Sequence, residues 1–297
     1  MALNDQERAR LERLAAGAPS ISPKGHSQRC VFCGNRPLSK EHIWPNWLRK
    51  HLKSGAPYNM HTASLLALDG GKAFWGERKD RPRTGSTMSQ KLRVVCPKCN
   101  NRWMSVLQTE CKPILLPFVA GEWVGLDDRE QQKLAAWATM FTMVWECRDP
   151  RTQATPFSER ELFRQTLVPP PSWKIWIGRA VDAWEGATNH IAWLAIDTDD
   201  IPGLITPTMN TQVTAWCLGS LFLMTFSSTS KFVCEEENKF AKAHGLEVLW
   251  PLQSRQIDKP VRALDHGSAN AVVRAILPPE FDQRPLMDIS NHRRPKP

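Results

Sequence analysis

Two short units, Cys30-Val31-Phe32-Cys33 and Cys96-Pro97-Lys98-Cys99, constrain this chain more than anything else in it. Each presents two thiols at the spacing of a zinc knuckle, and the pair can close a tetrahedral site of four thiolates. Closure would bring two distant parts of the chain together, because 62 residues separate Cys33 from Cys96. Compact ribbons place such units roughly 15 to 20 residues apart, so the intervening stretch must leave the site and return. Leu92 to Val95 reads as the short strand that makes the return.

The charged start, Met1 to Arg13, lacks the apolar core of a signal peptide. The longest apolar run, Leu218 to Phe226, falls far short of the roughly 20 residues that span a bilayer. The expectation is a soluble cytoplasmic chain with no membrane partner, whose cysteines serve metal and core rather than disulfides. Cys111, Cys147, Cys217 and Cys234 sit in apolar settings and read as core thiols. A net charge of +9 favours a polyanionic partner such as nucleic acid.

The pattern along the chain predicts an α+β fold. Residues 1–27 read as a charged amphipathic helix (3–16) and a linker. Residues 28–112 form the zinc-containing unit: Ser39 to Ile43 extended, a helix starting after Pro45, and a second helix from about Asn101 that Pro113 stops. Residues 113–168 are helical, with an Asp127/Glu130 capping box and a core stripe of Leu134, Trp137, Phe141, Val144 and Trp145. Ser158 and Glu161 suggest a further capped helix. Residues 169–252 switch to a strand period, with candidates at 172–178, 190–198, 209–217, 220–227 and 246–250. Residues 253–297 read as a polar, Pro-rich tail.

Residues 54–91 read as an insertion rich in Gly, polar and basic residues. It is either a solvated loop or a flexible arm whose Lys72, Arg78, Lys79, Arg81, Arg83, Lys91 and Arg93 neutralise phosphates, with Arg102 beyond the second knuckle.

The chemistry gathers beside the knuckles. Glu41-His42 follows the first and Asn100-Asn101 the second. Glu41 and Asn100 are oxygen ligands suited to a hard divalent cation such as Mg²⁺, with Asn101 as the alternative to Asn100. Neutral His42 is a candidate general base for an attacking water. Successive strand residues point to opposite faces, so Glu41 and His42 reach one site only through a local irregularity.

Taken together, Cys30-x-x-Cys33, Glu41-His42-Ile43-x-Pro45 and Cys96-x-x-Cys99-Asn100 resemble the zinc-knuckle branch of the HNH endonucleases. The resemblance covers residues 28 to about 112. It implies a ββα-metal fold, a structural zinc on the four Cys, and a catalytic Mg²⁺ or Mn²⁺ on Glu41 and Asn100. It implies His42 as general base in the hydrolysis of phosphodiester bonds in DNA, with RNA left open as substrate. The chain departs from the family pattern in four ways. Glu41 stands where Asp is commoner, the middle Asn is absent near Lys91, the link from His42 to Cys96 is long, and Trp103 replaces a common Lys. The same residues also admit two rival readings. One is a silent zinc module that binds nucleic acid or protein. The other is a nuclease activated by a protein partner through the strand-rich module, as in defence systems.

Overall fold

The computed structural model describes residues 29–52, 58–59, 62–69, 72–79, 83–84, 89–149, 152–194, 209–229, 237–254, 256–257, 259–260, 262–277 and 287–288. The helix expected at 3–16, Cys234 and Arg81 lie outside the described residues.

A two-stranded antiparallel ribbon, β1 (Ser39–His42) and β6 (Lys91–Val95), carries both knuckles at one end, where Ser39 pairs with Val95. Between these strands the chain forms β2 (Tyr58–Asn59), β3 (Thr62–Asp69), β4 (Lys72–Lys79) and β5 (Arg83–Thr84). The expectation of a solvated loop or flexible arm is therefore corrected. β3 and β4 pair antiparallel over eight positions from Thr62↔Lys79 to Asp69↔Lys72. Leu65, Leu66, Leu68, Phe74 and Trp75 supply strand-forming residues, and Gly70-Gly71 separates the strands in sequence as two-residue hairpins require.

After β6 the chain turns helical without a break. One turn (Pro97–Cys99) and a π-helical turn (Asn100–Met104) lead into α1 (Ser105–Ala120). The stop expected at Pro113 does not occur, because α1 runs through Pro113 and Pro117. An interior proline costs about 3 kcal/mol. Burial of a large apolar side chain returns roughly 1.5 to 3 kcal/mol, and α1 buries Leu107 and Cys111 before Pro113 and Ile114, Leu115, Phe118 and Val119 after it.

Next come α2 (Asp128–Trp145) and α3 (Phe157–Thr166). The capping box is present: Glu130 N donates to Asp127 Oδ1 at 2.7 Å, and Asp127 N donates to Glu130 Oε2 at 3.1 Å. The cap expected at Ser158 is absent, and Pro156 holds the N-cap position without a side-chain bond. A buried pair, Arg160 Nη2 to Glu146 Oε1 at 2.7 Å, ties α3 to the turn after α2, and Glu146 also accepts from Ala154 N.

The strand-rich part has fewer and longer strands than expected. β7 (Trp173–Leu194) and β8 (Thr211–Ser228) each merge two expected strands into one bent element, and they pair antiparallel. α4 (Glu237–His244) precedes β9 (Glu247–Trp250), β10 (Ala263–Leu264), α5 (His266–Ala275) and β11 (Met287–Asp288). Within 253–297, read from sequence as a tail, α5 thus packs Ala269, Val272 and Val273 into a core. The main sheet follows the path β10-β7-β3-β4-β11, with β8 and β9 also on β7. β3 joins β7 in parallel, so the stretch between the knuckles is part of this sheet.

Alternation on β7 and β8 divides two cores. Trp173, Ile175, Ile177, Trp216 and Leu218 pack with α1, α2 and the knuckles, whereas Trp176, Trp193, Ala215 and Cys217 pack toward α4 and α5. Among the described residues, no helix is long and apolar enough to cross a membrane.

Candidate metal centre

The first knuckle is a tight turn. Gly34 N donates to Cys30 O at 2.8 Å, and Cys30 N to Asn35 O at 3.0 Å. Gly34 has φ +69°, a left-handed conformation that glycine adopts without steric cost. Val31 N donates to Val94 O at 3.0 Å, which ties this turn to β6 and so to the second knuckle. There Pro97 opens the helical turn and Cys99 N donates to Cys96 Sγ at 3.4 Å.

The four Sγ atoms of Cys30, Cys33, Cys96 and Cys99 lie within 4.8 Å of one another. Cys33 Sγ stands 3.5 Å from Cys96 Sγ and 3.6 Å from Cys99 Sγ. With Zn–S near 2.3 Å, a tetrahedral edge is about 3.8 Å, so the donor set fits a zinc ion closely. Burial pushes the Cys99 and Cys30 thiols up, and a bound cation would reverse this by holding them as thiolates. Phe32 and Trp103 meet edge to face at 4.9 Å, and Trp103 meets Phe163 at 5.9 Å. The aromatic at 103, where the resembled family commonly has Lys, belongs to an apolar wall beside the cluster.

The ribbon then positions the candidate catalytic groups. Its register pairs Ser39 with Val95, Glu41 with Leu92 and His42 with Lys91. The register shifts between Ser39 and Glu41, but Glu41 and His42 follow each other in regular register, so the irregularity expected between them is not found and they leave β1 on opposite faces. Glu41 turns inward and is only 7% exposed, while His42 is half-buried. Both line one crevice with Ile43, Pro45, Met104 and Gln108, closed on one side by α2.

Asn100 comes near the Glu41 carboxyl and lowers its pKa. Asn100 Nδ2 also donates to Ser39 Oγ at 3.2 Å, and Ser39 Oγ to Val95 O at 3.1 Å. Asn101 is exposed. Gln108 Nε2 donates to Glu41 Oε1 at 3.3 Å. Burial raises the Glu41 carboxyl to about 7, against the opposing influence of the bonded Gln108 and of nearby Asn100. A carboxylate and a nearby carboxamide are the donor types that suit a hard divalent cation, which accepts one or two carboxylates and keeps several waters.

His42 is shifted the other way. Burial lowers its pKa first, and the charges of Lys91 and Arg49 lower it further. Its Nδ1 lies 3.4 Å from Asn46 Nδ2. Asn46 and Gln108 were not legible as site residues. Asn46 lies four residues after His42, beyond Pro45, and contacts a ring that the resembled family orients with a middle Asn. Gln108 lies about two helical turns past Asn100 on a continuous helix, a spacing that carries no motif.

The remaining expected residues are dispersed. Arg93 and Arg102 are exposed beside the ribbon and the π-helical turn. Lys72, Arg78 and Lys79 lie on β4 and Arg83 on β5. Cys111, Cys147 and Cys217 are buried thiols, as expected.

The chain matches no family model, no curated protein and no solved structure.

Proposed function

We propose that this chain is a metal-dependent HNH-type endonuclease that hydrolyses phosphodiester bonds in DNA. The observation that carries the reading is the anchoring of Asn100 to β1, by its Nδ2 to Ser39 Oγ two residues before Glu41, next to a four-cysteine cluster and near His42. A zinc ion on Cys30, Cys33, Cys96 and Cys99 would be structural, since four thiolates leave no open position for substrate.

Glu41 and Asn100 would hold Mg²⁺ or Mn²⁺. That cation, when bound, supplies a Lewis acid for the scissile phosphate and the leaving oxygen. His42 takes the proton of the attacking water. Burial and the charges of Lys91 and Arg49 keep its imidazole neutral near pH 7 and so able to accept. Asn46 steadies the ring, and Gln108 keeps the Glu41 carboxyl turned toward Asn100.

The test is incubation of wild type and His42→Ala with supercoiled plasmid in Mg²⁺, in Mn²⁺ and in EDTA. The expected result is metal-dependent nicking or linearisation that falls by at least about a hundredfold in the variant, within the range that a general base contributes. Cleavage by His42→Ala above a tenth of wild type overturns His42 as base. Absence of cleavage by wild type in either metal overturns the proposal for the isolated chain and favours the silent zinc module.

A further inference from the structure

The positive charge of this chain is concentrated in two stretches. Residues 29–52 and 89–105 hold nine Lys and Arg against one carboxylate, Glu41, and account for +8 of the net +9. Glu41 is buried. The rest of the chain is therefore close to neutral.

The fold places much of this charge on one face. Strand alternation turns Glu41 inward and leaves Lys40 and His42 on the opposite face of β1. The register sets His42 against Lys91, and Arg93 follows Lys91 two residues along β6 with both exposed. After Pro45 the short helical turn Asn46–Lys50 buries Leu48 and leaves Arg49 and Lys50 exposed. Lys40, Arg49, Lys50, Lys91 and Arg93 have no carboxylate partner among the described residues. A surface that only keeps a protein soluble intersperses both signs; this one carries a single sign around His42.

Among the described residues, the ribbon also offers no fully exposed aromatic ring. The exposed large apolar residues among those described are Val106, Val124, Phe157, Leu162 and Val181, none of which is on the ribbon. Proteins that hold single strands stack bases on aromatic rings, whereas phosphate contacts alone suit a backbone whose bases are already paired.

We propose that the outward face of the β1–β6 ribbon, Lys40, Lys91 and Arg93 with Arg49 and Lys50 of the following turn, grips the phosphate backbone of a duplex on either side of His42. The proposal deepens the nuclease reading and rests on it for the placement of the scissile bond.

Binding is measured by fluorescence anisotropy in EDTA, so that it does not depend on cleavage. The probes are a labelled 20-base-pair duplex and one of its strands alone, across 50 to 200 mM NaCl. The proteins are wild type, the pairs Arg49→Gln/Lys50→Gln and Lys91→Gln/Arg93→Gln, the four changes combined, and a control pair, Lys242→Gln/Arg274→Gln, exposed on α4 and α5. Zinc content and circular dichroism establish that each variant is folded.

Each lost phosphate contact should lower the slope of log K against log salt by about 0.9, so each ribbon pair should lower it by about 2 and the combined variant by about 3 to 4. The control pair should leave it unchanged, and wild type should bind the duplex more tightly than the strand. A slope in the ribbon variants equal to that of wild type overturns the grip. Tighter binding of the single strand overturns the duplex assignment. Duplex binding that follows the ribbon charges, with no plasmid cleavage in Mg²⁺, keeps the grip and removes the nuclease. Cleavage with ribbon-independent binding does the opposite.

Discussion

Gln108 bonds the Glu41 carboxyl and Asn100 lies near it, both from one helical stretch, but their proposed roles differ. Asn100 would bind the cation directly, whereas Gln108 acts through Glu41 and is a positioning residue. Loss of such an outer partner typically costs ten- to a hundredfold in metal affinity or activity. Gln108→Ala should therefore raise the Mg²⁺ concentration for half-maximal cleavage by about tenfold and leave the rate at saturating Mg²⁺ within a few fold. Titration of Mg²⁺ in the plasmid assay reads this directly, and an unchanged midpoint would show that Glu41 needs no support. His190 poses a different problem, since it is fully buried between Thr214 Oγ1 at 2.7 Å and Thr152 O at 3.0 Å. Burial lowers its pKa, although Glu146 and Asp149 oppose the shift. The unfolded chain, with an ordinary pKa near 6.5, then binds a proton that the folded chain refuses. Stability is complete above pH 6.5 and falls as pH drops from there toward the depressed folded value, by at most about 1.4 kcal/mol per pH unit for one group. Urea midpoints for wild type should fall more steeply between pH 6.5 and 5 than those for His190→Gln; parallel curves would assign an ordinary pKa to His190.

At the scale of elements, Gly219 shows why β8 can be one strand where the sequence suggested two. Its φ is +57°, and a Cβ built there would stand 2.3 Å from the carbonyl oxygen of Val119 on α1. The bend shifts the alternation, so that Leu218 and Leu221 both enter the core shared with α1 while Phe222 faces the other. Gly219→Ala meets both a left-handed backbone and a backbone oxygen that cannot swing away. It should cost about 2 kcal/mol or more, beyond the 1 to 3 kcal/mol of backbone strain at its low end. Equilibrium urea unfolding measures this, and a loss under 0.5 kcal/mol would mean that α1 and β8 separate easily. The elements also mark what the sequence made legible. The capping box of α2, the strand before Cys96 and the turn after Pro45 depend on neighbours in sequence and were readable. The continuation of α1 through Pro113 and the merging of strands in β7 and β8 depend on partners supplied by distant segments. The motif at Glu41, His42 and Asn100 was visible because fixed spacings mark it, whereas Asn46 and Gln108 acquire meaning only when the ribbon and helix meet.

For the whole molecule, the decisive feature is that the knuckles are not an appendage. Cys30, Cys96 and Cys99 belong to the same buried cluster as Leu107 and Phe118 of α1, Trp137 and Phe141 of α2, and Trp173 and Trp216 of the main sheet. Trp44, just past His42, packs with its ring centroid 4.4 Å from that of Phe141 and so fastens the end of β1 to α2. Sequence boundaries at 112 and 168 would let a zinc unit unfold alone; a shared core couples its loss to the sheet. A zinc ion held by the four cysteines would, on release, leave four largely buried thiols with no cation, and such structural zinc contributes on the order of 10 kcal/mol to folding. Cys30→Ser, or chelation of the wild type, should therefore lower the midpoint of unfolding followed by tryptophan fluorescence and by far-ultraviolet circular dichroism together, in one transition. Tryptophans in the knuckle wall, in α2 and in β7 and β8 report on all these parts at once. Two separated transitions, with the sheet signal unmoved by zinc, would instead restore the zinc unit as an independent domain. The coupling has a functional side, because α2 forms one wall of the crevice at Glu41 and His42. Anything that shifts the sheet against α2 therefore also shifts the candidate catalytic groups.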